Sequence, residues 1–297
     1  MLLRGRKNIF GQDTIGYLLI TPFYIFFFIF IIVPIIMNLL LSFTRFDIHS
    51  IEFIGLMNYQ NLFTDKFFLK ALLNTSIYTF FTLFLTMALG LLFAVVLNER
   101  IFFQKIFRTV IFLPYITSMV AISMVWLWMY EPAAGIINHF MTLLGLNKQN
   151  WLHDPALALP CIVIMSVWKF LGYYMVIYLA GLQAIPDYLY EAAIIDGASE
   201  VQKFRLITFP MLRPVTFFLF VTGLILNFNV FEQVLIMTNG GPQNATTTVV
   251  HQIYIRAFFQ FLLGYGSALA FFVVVIIAVI TTLNFKYGSK GIDVGIG

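Results

Sequence analysis

Glu191-Ala192-Ala193-Ile194-Ile195-Asp196-Gly197-Ala198-Ser199 lies between two long apolar runs yet carries helix signals of its own. Just upstream, Pro186 suits a first helical position and Asp187 complements the positive end of a helix, so the spacing predicts a short helix from Asp187 to about Ile195. Asp196-Gly197 should end it. Ser199 and Gln202 then stand at capping-box spacing, which predicts a second short helix running to Phe209 with Pro210 as its stop. The loop 183–214 is thus expected to form a helix, a turn and a helix lying along a membrane surface.

Outward from this loop the chain is apolar. Of 297 residues, 61% are hydrophobic and 10% charged, with a mean hydropathy of +0.94, which excludes a soluble domain of this size. A span needs roughly 20 apolar residues, and about six runs qualify: Ile15 to Phe43, Ala71 to Leu97, Phe107 to Tyr130, Ala158 to Leu182, Val215 to Met237 and Leu262 to Phe285. The expected fold is an all-α integral membrane protein of about six transmembrane helices. An even number puts both termini on one side. Lysine and arginine retention makes that side cytoplasmic, because about 11 cations (Arg4, Arg6, Lys7, Arg100, Lys105, Arg108, Lys203, Arg205, Arg213, Lys286 and Lys290) fall there. About five (Arg45, Lys66, Lys70, Lys148 and Arg256) fall outside. The basic pI therefore reflects topology and implies no nucleic-acid partner.

The expected divisions are a cytoplasmic segment 1–14, a transmembrane domain 15–285 and a cytoplasmic tail 286–297. The first run is too long for a signal-peptide core and is read as a retained span, with Pro22 and Pro34 as sites for kinks. Cys161 lies within a span, which excludes a disulfide framework, and His49, His139, His153 and His251 are scattered without metal-site spacing. No metal ligand set and no catalytic residue is expected. A phosphate-cradling Gly-rich loop ending in Lys-Ser or Lys-Thr is missing too, so energy must come from a partner.

The loop text, with Phe204, Ile207, Pro210 and Pro214 following, resembles the EAA signature of the permease subunits of ATP-binding-cassette importers. In that family the loop is the coupling helix, which docks on a cytoplasmic ATPase. The resemblance implies ATPase contacts at Glu191, Ala192, Ala193, Asp196, Gly197, Ala198, Phe204 and Pro210. Small alanines allow close approach, Gly197 permits a tight turn, and Glu191 can pair with a basic group. Phe53-Ile54-Gly55-Leu56-Met57-Asn58-Tyr59 with Leu62-Phe63, then Phe112-Leu113-Pro114, then Asn239-Gly240-Gly241-Pro242 with Ala245-Thr246, Tyr254 and Ala257-Phe258 resemble, in order, the branch importing di- and oligosaccharides, polyols and glycerol phosphates. That branch implies a prokaryotic cytoplasmic membrane, two ATPase domains holding ATP and Mg, a second permease chain and an external solute-binding protein. Rival readings are a permease for another solute class, and a membrane scaffold or sensor that moves nothing.

A polar solute needs a wet path, and polar residues inside spans are the candidates for it. Ser166, Lys169, Phe170 and Tyr173 recur at helical spacing, a stripe suited to stacking on and hydrogen bonding a sugar ring, with Trp168 on the opposite face. In the fifth run Gly223 and Asn227 share one face, whereas Asn229, Glu232 and Gln233 share another. By resemblance to the maltose-type permeases, Ser166, Phe170, Tyr173, Gly223 and Asn227 are expected to line the path. Lys169 is expected to reach substrate oxygens, to join an intramembrane ionic or polar contact with Glu232 and Asn229, or, like Glu232, to contact a partner subunit.

Overall fold

The computed structural model describes residues 12–46, 50–99 and 102–288. Arg4, Arg6, Lys7, His49, Arg100 and Lys290, with most of the two expected terminal segments, lie outside the described residues.

The first span, Gly16–Ser42, is built from α1 (Gln12–Phe27) and α2 (Val33–Ser42) joined by a π-turn at Phe28–Ile32. Pro34 accounts for the wide turn, since its ring crowds the carbonyl four residues back and it has no amide to donate. Pro22 sits inside α1 without interrupting it. Two short antiparallel strands follow, β1 (Thr44–Phe46) and β2 (Ile51–Phe53), with Arg45 opposite Glu52, so among the described residues the fold departs from pure helix in this strand pair. Next come α3 (Met57–Leu62) and the 33-residue α4 (Lys66–Asn98), capped by Asp65, whose carboxylate accepts from the amides of Phe67 and Phe68.

The third expected run is not one straight span. α5 (Gln104–Ile116) and α6 (Met119–Met129) meet at 100°, because Thr117 and Ser118 are extended (ψ 155° and 136°). α7 (Ile136–Leu143) and the uninterrupted α8 (Ala158–Gln183) follow. The loop after α8 contains α9 (Asp187–Ile195), α10 (Glu200–Lys203), a π-turn at Phe204–Thr208 and α11 (Phe209–Met211). Pro210 therefore does not stop the second helix. As at Pro34, a π-turn ahead of the proline absorbs the missing amide, and the chain bends by 59° only after Met211.

The fifth expected run is also divided, into α12 (Arg213–Phe228) and α13 (Glu232–Met237). Asn229 explains the break in part, since its side-chain amide donates to the carbonyl of Ile225 at 2.8 Å, a local bond that competes with helix propagation. α14 (Val249–Tyr254), a π-turn at Ile255–Phe259 and α15 (Leu263–Gly288) complete the chain. Among the described residues four helices are long and apolar enough to cross a membrane, and six if the bent pairs α5–α6 and Glu200–Met211 with α12 each count as one span.

α4 and α8 form the centre. Apolar side chains gain little by leaving lipid for protein, so close backbone approach and dispersion contacts carry such pairs. Gly90 supplies the approach, for a Cβ built there would fall 2.7 Å from Cβ of Tyr174 and 3.2 Å from the amide of Met175. Around this pair, one core joins α4, α8 and α12 near the α9–α11 loop, and a second, at the other end, joins Tyr78 and the α8 N-terminal half to α6 and α13.

Candidate functional site

The α9–α11 loop is assembled from its own capping chemistry. α9 runs from Asp187 to Ile195 as expected, with Pro186 one place earlier than expected, as the N-cap. Gly197 follows with φ +73°, a left-handed conformation that a β-carbon disfavours, and the amides of Gly197 and Ala198 close back on the carbonyls of Ile194 and Ala193. Ser199 and Gln202 make both bonds of the capping box. Tyr190 and Thr208 share a hydroxyl hydrogen bond of 2.9 Å, which ties α9 to the second arm.

Seen from outside, this unit is apolar where a soluble surface would be polar. Ile195 is 85% exposed and Val201 75%, and Tyr188, Ile194, Leu206 and Phe209 are exposed as well. Glu191, Ala192, Asp196, Gly197 and Phe204 are exposed, and Ala193, Ala198 and Pro210 are half-buried. Most of the expected coupling residues are therefore accessible from outside the chain. Beneath them a groove of about 810 Å³ runs between the ends of α4 and α8 and the second arm, lined by Glu99, Asp187, Tyr190, Glu200 and Lys203 among others.

Within the bundle, the expected α8 stripe is real as geometry. Ser166 is fully buried, Lys169 is 4% exposed, Phe170 and Tyr173 are half-buried, and Trp168 faces away against Trp126. Tyr173 stacks on Tyr115 with ring centroids 4.9 Å apart, and Tyr115 also meets Phe170. On α12, Gly223 and Asn227 are buried together, the Asn227 amide donating to the Gly223 carbonyl at 2.7 Å. Gly223 lies under the Tyr174 hydroxyl.

Lys169 bonds to main chain that the sequence did not single out. Its ammonium donates to the carbonyls of Pro114 (3.1 Å), Tyr115 (3.4 Å) and Thr117 (2.7 Å), the exposed end of α5 at the 100° break. Glu232 makes no direct ion pair with it among the described residues; it stands exposed on the first turn of α13. Asn229, spent on Ile225, joins neither. The break between α12 and α13 is what separates the expected polar face, leaving Gln233 buried and bonded to the Tyr78 hydroxyl at 2.9 Å.

Tyr78, Tyr115 and Tyr174 were absent from the expected path residues. A signal existed for Tyr78, since Asn74, Thr75, Tyr78, Thr79, Thr82 and Thr86 recur at helical spacing in an apolar run and are all buried. Tyr115 is placed by the break itself, which sequence periodicity does not report.

The profile of the family described as binding-protein-dependent transport system inner membrane component matches residues 86–286. The chain belongs to that family. It is an importer permease by descent, and a multi-pass membrane protein. Among its relatives are the trehalose/maltose transport system permease protein MalF of Thermococcus litoralis, 35% identical over 94% of this chain and 95% of that one. Another is the arabinooligosaccharides transport system permease protein AraP of Bacillus subtilis, 32% identical over 96% of this chain and 92% of that one. In fold the permease matches a chain of the bacterial alginate ABC transporter solved with an alginate pentasaccharide-bound periplasmic protein, with a TM-score of 0.86 at 24% identity over 96% of this chain and 97% of that one.

Proposed function

We propose that this permease is one transmembrane subunit of an ATP-driven carbohydrate importer, taking its solute from an external binding protein and its energy from a cytoplasmic ATPase. The observation that carries the cargo class is that relatives matching it nearly end to end are named for arabinooligosaccharides and for trehalose and maltose. The aromatic and hydroxyl lining suits that cargo, for stacking on Tyr115, Phe170 and Tyr173 and hydrogen bonding near Asn227 are how a neutral sugar ring is held.

The α9–α11 face is the ATPase dock. Its exposed isoleucines and Val201 would be costly in water, and a partner groove would bury them. Glu191 offers an ion pair at the rim. ATP and Mg belong to the two ATPase subunits, whose closure moves this loop as a rigid unit braced by the Tyr190–Thr208 bond. A second permease chain completes the path, and the assembly sits in a prokaryotic cytoplasmic membrane, with both termini and the α9–α11 loop inside.

Uptake of radiolabelled oligosaccharides by cells with and without the gene tests the reading. Loss of uptake of at least one di- or oligosaccharide, with amino-acid and peptide uptake intact, is the expected result. Uptake unchanged across a broad sugar panel would overturn the cargo class.

A further inference from the structure

We infer that Lys169 is the positioning residue that holds the third span broken, and that Glu232 receives its charge when that span straightens. An α-helix leaves its last carbonyls without partners, and α5 stops at Ile116, part-way along an apolar run. In a continuous α5–α6 helix the carbonyls of Pro114, Tyr115 and Thr117 would accept from the amides of Ser118, Met119 and Ala121, four residues on. At the break all three accept from the three-proton ammonium of Lys169, Pro114 sharing its carbonyl with the hydroxyl of Thr117, which donates to it at 2.6 Å. Lys169 thus substitutes for the missing helical bonds. Its charge is buried, so it needs those oxygens as much as they need it.

Gly172 makes the arrangement local. A Cβ there would collide with the Ile111 carbonyl and with Cα of Phe112, so α8 lies directly against the last turns of α5, one helical turn from Lys169. The two states differ in contacts, as a switch requires. When α5 and α6 join, the carbonyls take α6 amides and release Lys169, whose charge must then find an anion. Glu232 is an acidic residue on the first turn of α13, which packs against α6 through Val234 and Met237 with Met119 and Ile122. Movement of α6 therefore carries Glu232 with it.

The test is a distance across the break. Spin labels at Val110→Cys and Met124→Cys, both exposed sites, are introduced in a Cys161→Ser background, and the whole assembly is measured in nanodiscs by double electron–electron resonance. Wild type should give one short distance without nucleotide and a longer one with ATP and vanadate. Lys169→Met should make the longer distance the major component without nucleotide, and Lys169→Arg should retain the short one. Superimposable traces for wild type and Lys169→Met would overturn the clamp. Should Lys169→Met be lost from the membrane, Glu232→Gln decides: it should keep the short distance with and without nucleotide, and lengthening like wild type would overturn the proposal. Only the nucleotide arm rests on the importer reading. A wild type that never lengthens, beside a Lys169→Met that does, counts against that reading and the transfer to Glu232 and leaves the clamp standing.

Discussion

At the residue scale, buried polar groups in the loop beyond α13 are satisfied in detail, and His251 shows what this demands. It is buried, with Nδ1 3.1 Å from Thr247 Oγ1 and Nε2 3.3 Å from Asn239 Oδ1. Thr247 Oγ1 already accepts from Gln252 at 2.8 Å, which leaves its own proton for Nδ1. The neutral ring then carries its proton on Nε2 and donates it to Asn239. Burial pushes the His251 imidazole below its ordinary value. The unfolded chain consequently binds the proton first, so this contribution is fully present above about pH 6.5 and is lost as pH falls toward the lower folded value, with a slope of at most about 1.4 kcal/mol per pH unit. Melting temperature of the purified protein should be level above pH 7 and fall below pH 6.5, and His251→Gln should flatten that fall. Parallel curves for the two proteins would assign the acid sensitivity elsewhere. Asp65 is a second such residue: it caps α4 and accepts from Arg256 at 3.0 Å and Tyr265 at 2.8 Å, so it joins three elements. Asp65→Ala should cost about 1 kcal/mol for the cap and more for the partly buried Arg256 left unpaired, whereas Asp65→Asn keeps the cap. Thermal unfolding should rank wild type, Asn and Ala in that order.

At the element scale, what could be read in advance was what local chemistry decides. α9, the Gly197 turn and the capping box stand where Asp187, Gly197, Ser199 and Gln202 put them, because each signal acts within four residues. The breaks were not legible. Thr117-Ser118 interrupts its apolar run with two small residues whose carbonyl partner, Lys169, is remote in sequence, and Asn229, although its bond to Ile225 is local, is one of several polar residues at the end of its run. The same limit hid the bonds of Lys169 to the end of α5, since its three oxygens belong to main chain that any sequence would supply. For the α9–α11 dock, Glu191→Lys reverses the rim charge and Gly197→Asp places a β-carbon at φ +73°, a cost of roughly 1–2 kcal/mol that would re-aim the second arm. Both variants should insert at wild-type levels yet lose most uptake and solute-stimulated ATPase activity. Full stimulation in both would remove this face from the dock.

At the scale of the whole molecule, the permease is a tight helix pair with looser elements around it. In an apolar 18-residue stretch of each, 61% of α8 is buried against 6% of the first span, so the two should answer differently to the same change. Gly90 and Gly172 lie on the central contacts, the one between α4 and α8, the other between α8 and α5, whereas nothing lies within 4 Å of a Cβ at Gly16. Leucine at Gly90 must drive α4 off Tyr174, and at Gly172 must drive α5 off α8, strain of about 1–3 kcal/mol or more in a region that cannot give without moving main chain. Leucine at Gly16 adds apolar surface on a helix with no protein neighbour there and even raises helix propensity. Gly90→Leu and Gly172→Leu should therefore lose the monodisperse peak of the detergent-solubilised protein and its membrane yield. Gly16→Leu should match wild type in both measurements. Equal behaviour of the three variants would mean that α4 and α8 are not the scaffold on which the other spans are placed.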